Sequence, residues 1–105
     1  TLAAESGAAF SAVLRGPDSL GGLLQRAGYA AVPSDAMPTP GADDYFSGGY
    51  ITSRHGSAGG SPVSAVQAEL PMPGIRDSAQ ARERFAAAFA DVLLAYVRRH
   101  LKLPL

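Results

Sequence analysis

The chain has 105 residues, 47% of them apolar and 17% charged, with nine Lys and Arg balancing nine Asp and Glu. That composition is globular, without the basic excess of a nucleic-acid binder or the polybasic run of a membrane-surface anchor. No apolar stretch approaches the roughly 18 residues needed to span a bilayer. There are no cysteines, which excludes disulfides and thiolate chemistry and leaves the compartment open.

The chain starts Thr1-Leu2-Ala3-Ala4-Glu5, without an initiating Met and without the charged region and apolar core of a signal peptide. This predicts a processed precursor or a chain that begins inside a longer protein. Ala8 to Leu14 is a short apolar run stopped by Arg15-Gly16-Pro17 and reads as a buried strand. Asp18 or Ser19 can cap a helix that carries Leu20, Leu23 and Leu24 on one face, with Gly28 suited to its C′ position. Gly21 and Gly22 weaken that helix by about 1 kcal/mol each relative to Ala. Tyr29 to Val32 reads as a second strand, ended by Pro33. A strand, a short helix and a strand predict an α/β unit with parallel pairing.

Ser34 to Gly49 is a long loop containing Pro38, Pro40, Asp35, Asp43 and Asp44, and loops of this length inside domains are often functional. Tyr50 to Arg54 is expected as a short strand or an extended arm. Gly56 to Pro62 is a flexible Gly/Ser stretch. Val63 to Leu70 alternates, with Val63, Ala65 and Gln67 on one side and Ser64, Val66, Ala68 and Leu70 on the other. It reads as a strand ending at Pro71, followed by a turn over Pro71-Met72-Pro73-Gly74. The last element is a long helix opened by a capping box of Asp77 and Gln80. Its apolar stripe is Phe85, Phe89, Val92, Leu93, Tyr96 and Val97, which predicts packing on a sheet face. Arg98, Arg99, His100 and Lys102 gather at its C-terminal end, where the helix dipole favours positive charge. There is no internal repeat, and one α/β unit over residues 1–105 is expected.

The residues able to carry chemistry are few. His100 is expected to complement the dipole. His55 lies beside Arg54 in a glycine-bounded loop near Tyr50 and Ser53. Glu69 stands at the carboxyl end of the predicted strand, the edge where ligands bind in open α/β sheets. A carboxylate there is either solvated at the rim or a general base. Gln67 lies two residues earlier on the same face. Ser47-Gly48-Gly49 lacks the Gly-Lys-Ser/Thr of a phosphate loop, and Asp43-Asp44 lacks the spacing of a calcium loop.

The run Asp44-Tyr45-Phe46-Ser47-Gly48-Gly49-Tyr50-Ile51-Thr52-Ser53-Arg54-His55-Gly56, followed after a Gly/Ser spacer by Ala65-Val66-Gln67-Ala68-Glu69-Leu70, resembles the C-terminal half of the N-formylglutamate amidohydrolase family. The resemblance covers most of residues 15–100 and is carried by two short motifs in order. It implies a partial zinc carboxypeptidase-like fold, a mixed sheet flanked by helices with a long C-terminal helix. It implies one catalytic Zn²⁺, Glu69 as general base, and Arg54 as anchor for a substrate carboxylate. Tyr50, His55 and Gln67 join Arg54 as substrate-binding candidates. The family holds zinc through a His-x-x-Glu-type pair and a later His upstream of the loop, and here no His precedes His55. A catalytic zinc needs about three protein ligands.

Two functions are therefore expected from different classes. In the first, the chain is the C-terminal part of a zinc-dependent amidohydrolase or carboxypeptidase-like enzyme. Its metal ligands come from an upstream segment or a companion chain, and its substrate is a small N-acyl amino acid or peptide. In the second, it is a non-catalytic α/β interaction domain. A third reading makes Thr1 an N-terminal nucleophile, although Leu2-Ala3-Ala4 offers no base beside it.

Overall fold

The computed structural model describes residues 2–103, and its architecture is helical. The helices are α1 (Leu2–Ser6), α2 (Phe10–Arg15), α3 (Leu20–Arg26), α4 (Tyr50–His55) and the long α5 (Ala79–Leu101), with a single 3₁₀ turn at Ser57–Gly59. No strand occurs among the described residues. This corrects the expected α/β mixed sheet: α5 packs against α1, α3 and the turn around Met72–Arg76, not on a sheet face.

The individual strand expectations fail for local reasons. Ala8 to Leu14 becomes mostly helix: Ala12, Leu14 and Arg15 of Phe10–Arg15 are good helix formers, and the turn buries one side chain, Val13. Tyr29 to Val32 leaves α3 without forming a bridge. Tyr50 to Arg54 coils into α4, whose first turn is closed by the Thr52 hydroxyl, which accepts from the Gly49 amide at 3.0 Å. Val63 to Leu70 does run straight, without bend or turn, but no second strand lies beside it. A strand without a partner leaves its main-chain groups to water and has no ladder to stabilise it.

Where the sequence carries local signals, the helices obey them. Ser19, not Asp18, caps α3: its side chain accepts from the Gly22 amide at 3.0 Å. Gly28 sits at φ +92°. The Gly28 amide bonds the Gln25 carbonyl and the Tyr29 amide bonds the Leu24 carbonyl, a Schellman ending. Ser78, not Asp77, caps α5 through the Ala81 amide at 3.0 Å. Asp77 instead accepts from the Gly74 amide at 2.9 Å. Pro73 (φ −65°, ψ 130°) and Gly74 (φ 78°, ψ −10°) form the centre of a type II turn that folds Ile75 inward.

The core is small. Its buried apolar side chains are Val13, Ile75, Ala81, Phe85 and Val92. Phe85 is the hub: its ring meets Tyr29 edge-on at 5.1 Å and stacks on Phe89 at 5.4 Å, both favourable aromatic geometries. The stripe that α5 presents is Ala81, Phe85, Phe89, Val92, Tyr96 and His100, at spacings of three and four. Leu93, expected on the stripe, lies off it and is exposed. His100 is 5% exposed and donates from Nε2 to the Asp18 carbonyl at 2.8 Å, so it is a buried tie between α5 and the start of α3, not a solvent-facing dipole partner. Asp18 reinforces the tie through Arg99 Nε at 3.0 Å.

Residues 41–71 are mostly exposed. The radius of gyration is 14.1 Å, against about 13 Å for a compact domain of this length. The accessible surface is 7054 Å², against about 5,500 Å² for a compact monomer of this mass.

Two stability outcomes follow from this packing. Phe85→Ala removes the hub and is expected to cost about 3–5 kcal/mol, and Phe89→Ala, only half-buried, clearly less; denaturant midpoints of the two variants compare them. Gly21→Ala tests why a glycine pair sits inside α3. A Cβ on Gly21 would strike the Pro33 carbonyl oxygen, and one on Gly22 would come within 2.6 Å of the Gly16 and Pro17 carbonyls. On propensity alone Gly21→Ala should stabilise by about 1 kcal/mol; the expected result in a thermal melt is a lower midpoint, and a raised one would show that the loop yields freely.

Candidate functional site

A cleft of about 900 Å³ opens between the helical body and residues 44–71. Phe85, Phe89 and Tyr96 of α5 form part of its floor, and the straight segment from Ser64 to Pro71 forms one wall. Thr52 and Ser53 of α4 join that wall, and Phe10, Val13 and Leu14 of α2 supply apolar surface opposite. The sequence assigned Phe89 and Tyr96 to the core; they are half-buried and face this opening.

Two of the five residues singled out by the sequence meet here. The Gln67 Nε2 donates to Glu69 Oε1 at 2.6 Å, and both residues line the cleft. Residues two apart touch in this way when the chain is extended, because side chains repeat with period two. Gln67 is itself fixed against the start of α4: a Cβ on Gly49 would lie 2.6 Å from Gln67 Oε1. The backbone amide of Leu2 donates to the Ser64 hydroxyl at 3.0 Å, tying the same segment to α1. Glu69 is exposed to solvent, and its second oxygen is left for a further partner.

The other three stand elsewhere. Tyr50 opens α4 and is 76% exposed. Arg54 and His55 close the same helix, both exposed, and none of the three lines the cleft. Thr52 and Ser53 carry no signal of their own in the sequence; a helical reading of 50–55 puts only Thr52 on the side opposite Tyr50 and Arg54, while Ser53 shares a face with Tyr50 at i+3.

No group of three or more His, Cys, Asp or Glu side chains able to hold a metal comes together among the described residues. His55 is at the end of α4 and His100 is committed to Asp18. The residues present therefore do not fit a zinc ion. Thr1, the alternative nucleophile, lies outside the described residues. No described helix is long and apolar enough to cross a membrane. No family model, curated protein or solved structure matches the chain.

One group in the cleft has a displaced titration. Burial raises the Tyr96 phenol above its ordinary value, since desolvation penalises the phenolate. A folded pKa above the unfolded one means that the native state holds the proton more tightly. Stability should therefore be full below the unfolded value of about 10 and decline as pH rises above it. Stability measured against pH is expected to fall less steeply on the alkaline side in Tyr96→Phe than in the parent chain, and identical alkaline slopes would place Tyr96 in open water.

Proposed function

We propose that this chain carries the proton-handling carboxylate of an amide or peptide hydrolase acting near a free carboxylate, and that Glu69 is its general base. The observation that carries this reading is the 2.6 Å hydrogen bond from Gln67 Nε2 to Glu69 Oε1 on the wall of the cleft. An amide donor on one carboxylate oxygen fixes the plane of the carboxyl group and leaves Oε2 directed at a reactant. A base held in this way takes a proton from an attacking water as the carbon–oxygen bond forms. It returns the proton to the departing nitrogen as the carbon–nitrogen bond breaks. The resemblance of the Gly48-Gly49-Tyr50-Ile51-Thr52 and Gln67-Ala68-Glu69 segments to the N-formylglutamate amidohydrolases supports the same role.

The zinc implied by that resemblance has no ligand set among the described residues. In this proposal it belongs to an upstream segment or a companion chain, and the contribution of the present chain is the carboxylate and its orientation. Arg54, exposed on α4 outside the cleft lining, is the proposed anchor for the carboxylate of a substrate that extends beyond the cleft, a task for which the guanidinium fork is suited. Tyr50 and His55 share that helix and would meet the same end of the substrate.

A second reading, a non-catalytic interaction subunit, is favoured by one observation: Phe10, Phe46, Tyr50, Ile51 and Val66 are each at least two-thirds exposed, large apolar side chains that a docked partner would cover. The two separate by mutation. In the assembled enzyme, Glu69→Gln should leave folding and zinc content intact and lower turnover of N-acyl amino acids or short peptides by roughly 10²–10⁴-fold. Arg54→Ala should mainly raise KM and weaken the preference for a free carboxylate. Full activity in Glu69→Gln would remove the hydrolase reading and leave the interaction subunit.

A further inference from the structure

We propose that residues 63–70 are a docking edge for a straight polypeptide segment of a companion chain, which pairs with them main chain to main chain and closes the apolar cleft. The identity of that companion rests on the hydrolase reading above; the pairing itself requires no catalysis. The segment Val63-Ser64-Ala65-Val66-Gln67-Ala68-Glu69-Leu70 runs without bend or turn, and the contact between Gln67 and Glu69 gives it the period-two geometry of a strand. From Ser64 to Leu70 its main-chain amides and carbonyls have no hydrogen-bond partner among the described residues. An unpaired row of this kind is complementary to one chemistry above all, another extended backbone.

The segment is also prepared for pairing. Ser64 is held by the Leu2 amide, Gln67 packs on Gly49, and Ala65 Cβ lies against Gly56. The straight conformation is thus fixed by its side chains while its main chain stays free. Sheet edges that must not pair carry Lys, Pro or inward charges. This stretch has none of the first two and a single charge, Glu69 at its end. Pro62 and Pro71 bound it, and since proline has no N–H to donate, they limit the pairing to the residues between them.

The exposed area sets the scale of the partner. The chain displays 7054 Å², about 1,500 Å² above a compact monomer of its mass, whereas each side of a standard protein interface buries about 800 Å². Val66, 70% exposed, and Val63, 57% exposed, are apolar side chains of the edge itself that an added strand would cover. A second copy of the chain is the poorer occupant. A two-fold pair sets the same surface against itself, and a concave cleft facing its own image leaves both hollows open.

The test is amide hydrogen exchange of the 105-residue chain with a synthetic peptide of alternating Val and Thr, the same length as the edge. The peptide is N-methylated at alternate residues so that only one of its edges can pair. At millimolar peptide, every second amide between 64 and 70 should slow by about tenfold or more, the mark of occupied main-chain donors. A peptide N-methylated at every residue should give no protection. Of Val66→Pro and Gln67→Pro, which delete donors on opposite edges, one should abolish the protection while the helical circular dichroism is unchanged. Equal protection by the fully methylated peptide would overturn the proposal in favour of simple apolar filling. Protection that grows with chain concentration alone would overturn it in favour of a second copy, and no protection between 64 and 70 would overturn it outright. Glu69→Gln should protect as the parent does, so loss of the docking edge and loss of the hydrolase reading are read out separately.

Discussion

The structure depends on covering one face of α5. A 23-residue helix with Ala81, Phe85, Phe89, Val92, Tyr96 and His100 along one stripe must lay that stripe against something apolar, and the chain supplies only short helices with which to do it. Its α1 and α3 and the Met72–Arg76 turn cover the stripe at Ala81, Phe85 and Val92. At the far end, His100 is buried under the Asp18 carbonyl while Arg99 and Arg26 bracket the Asp18 carboxylate. Phe89 and Tyr96 remain half-covered, and the cleft lies over them. Fixed body and open cleft are thus two results of the same shortage of apolar partners.

The same constraint separates what the sequence made legible from what it did not. The long helix, the Ser19 cap, the Gly28 ending and the turn at Pro73-Gly74 are written in adjacent residues, and they stand where local chemistry puts them. The expected sheet failed because a strand is a relation between segments. Val63 to Leu70 has the alternation of a strand and even its straight course, but alternation specifies a face and cannot supply a neighbour. Ala8 to Leu14 and Tyr50 to Arg54 are short apolar runs, for which periodicity does not separate helix from strand. Gly21 and Gly22 looked like a weakness of α3; they are the points where Pro33, Gly16 and Pro17 approach the helix backbone, information that exists only in three dimensions.

For the candidate site, the pair two residues apart survived as a pair. Gln67 and Glu69 were placed on one face by alternation and are hydrogen-bonded there. Tyr50, Arg54 and His55 were grouped with them through the two-motif family resemblance, and α4 leaves them outside the cleft lining while bringing Thr52 and Ser53 to it. Glu69 at the end of an unpaired straight segment ties the proposed chemistry to the proposed partner: whatever pairs with 63–70 also sets the position of the carboxylate and the degree to which water reaches it. The balanced charge of the chain adds no long-range steering, so association at this edge would be governed by main-chain pairing and apolar contact.

A packed helical body with an unpaired straight segment pinned at its side has a distinct signature in residue-by-residue amide exchange on the chain alone. Amides in the middle of α5 and in the last turn of α3 should exchange slowest, while those from 64 to 70 exchange close to the rate of an unstructured peptide. Strong protection of 64–70 in the isolated chain would contradict this arrangement, because those main-chain donors would then be paired within the chain.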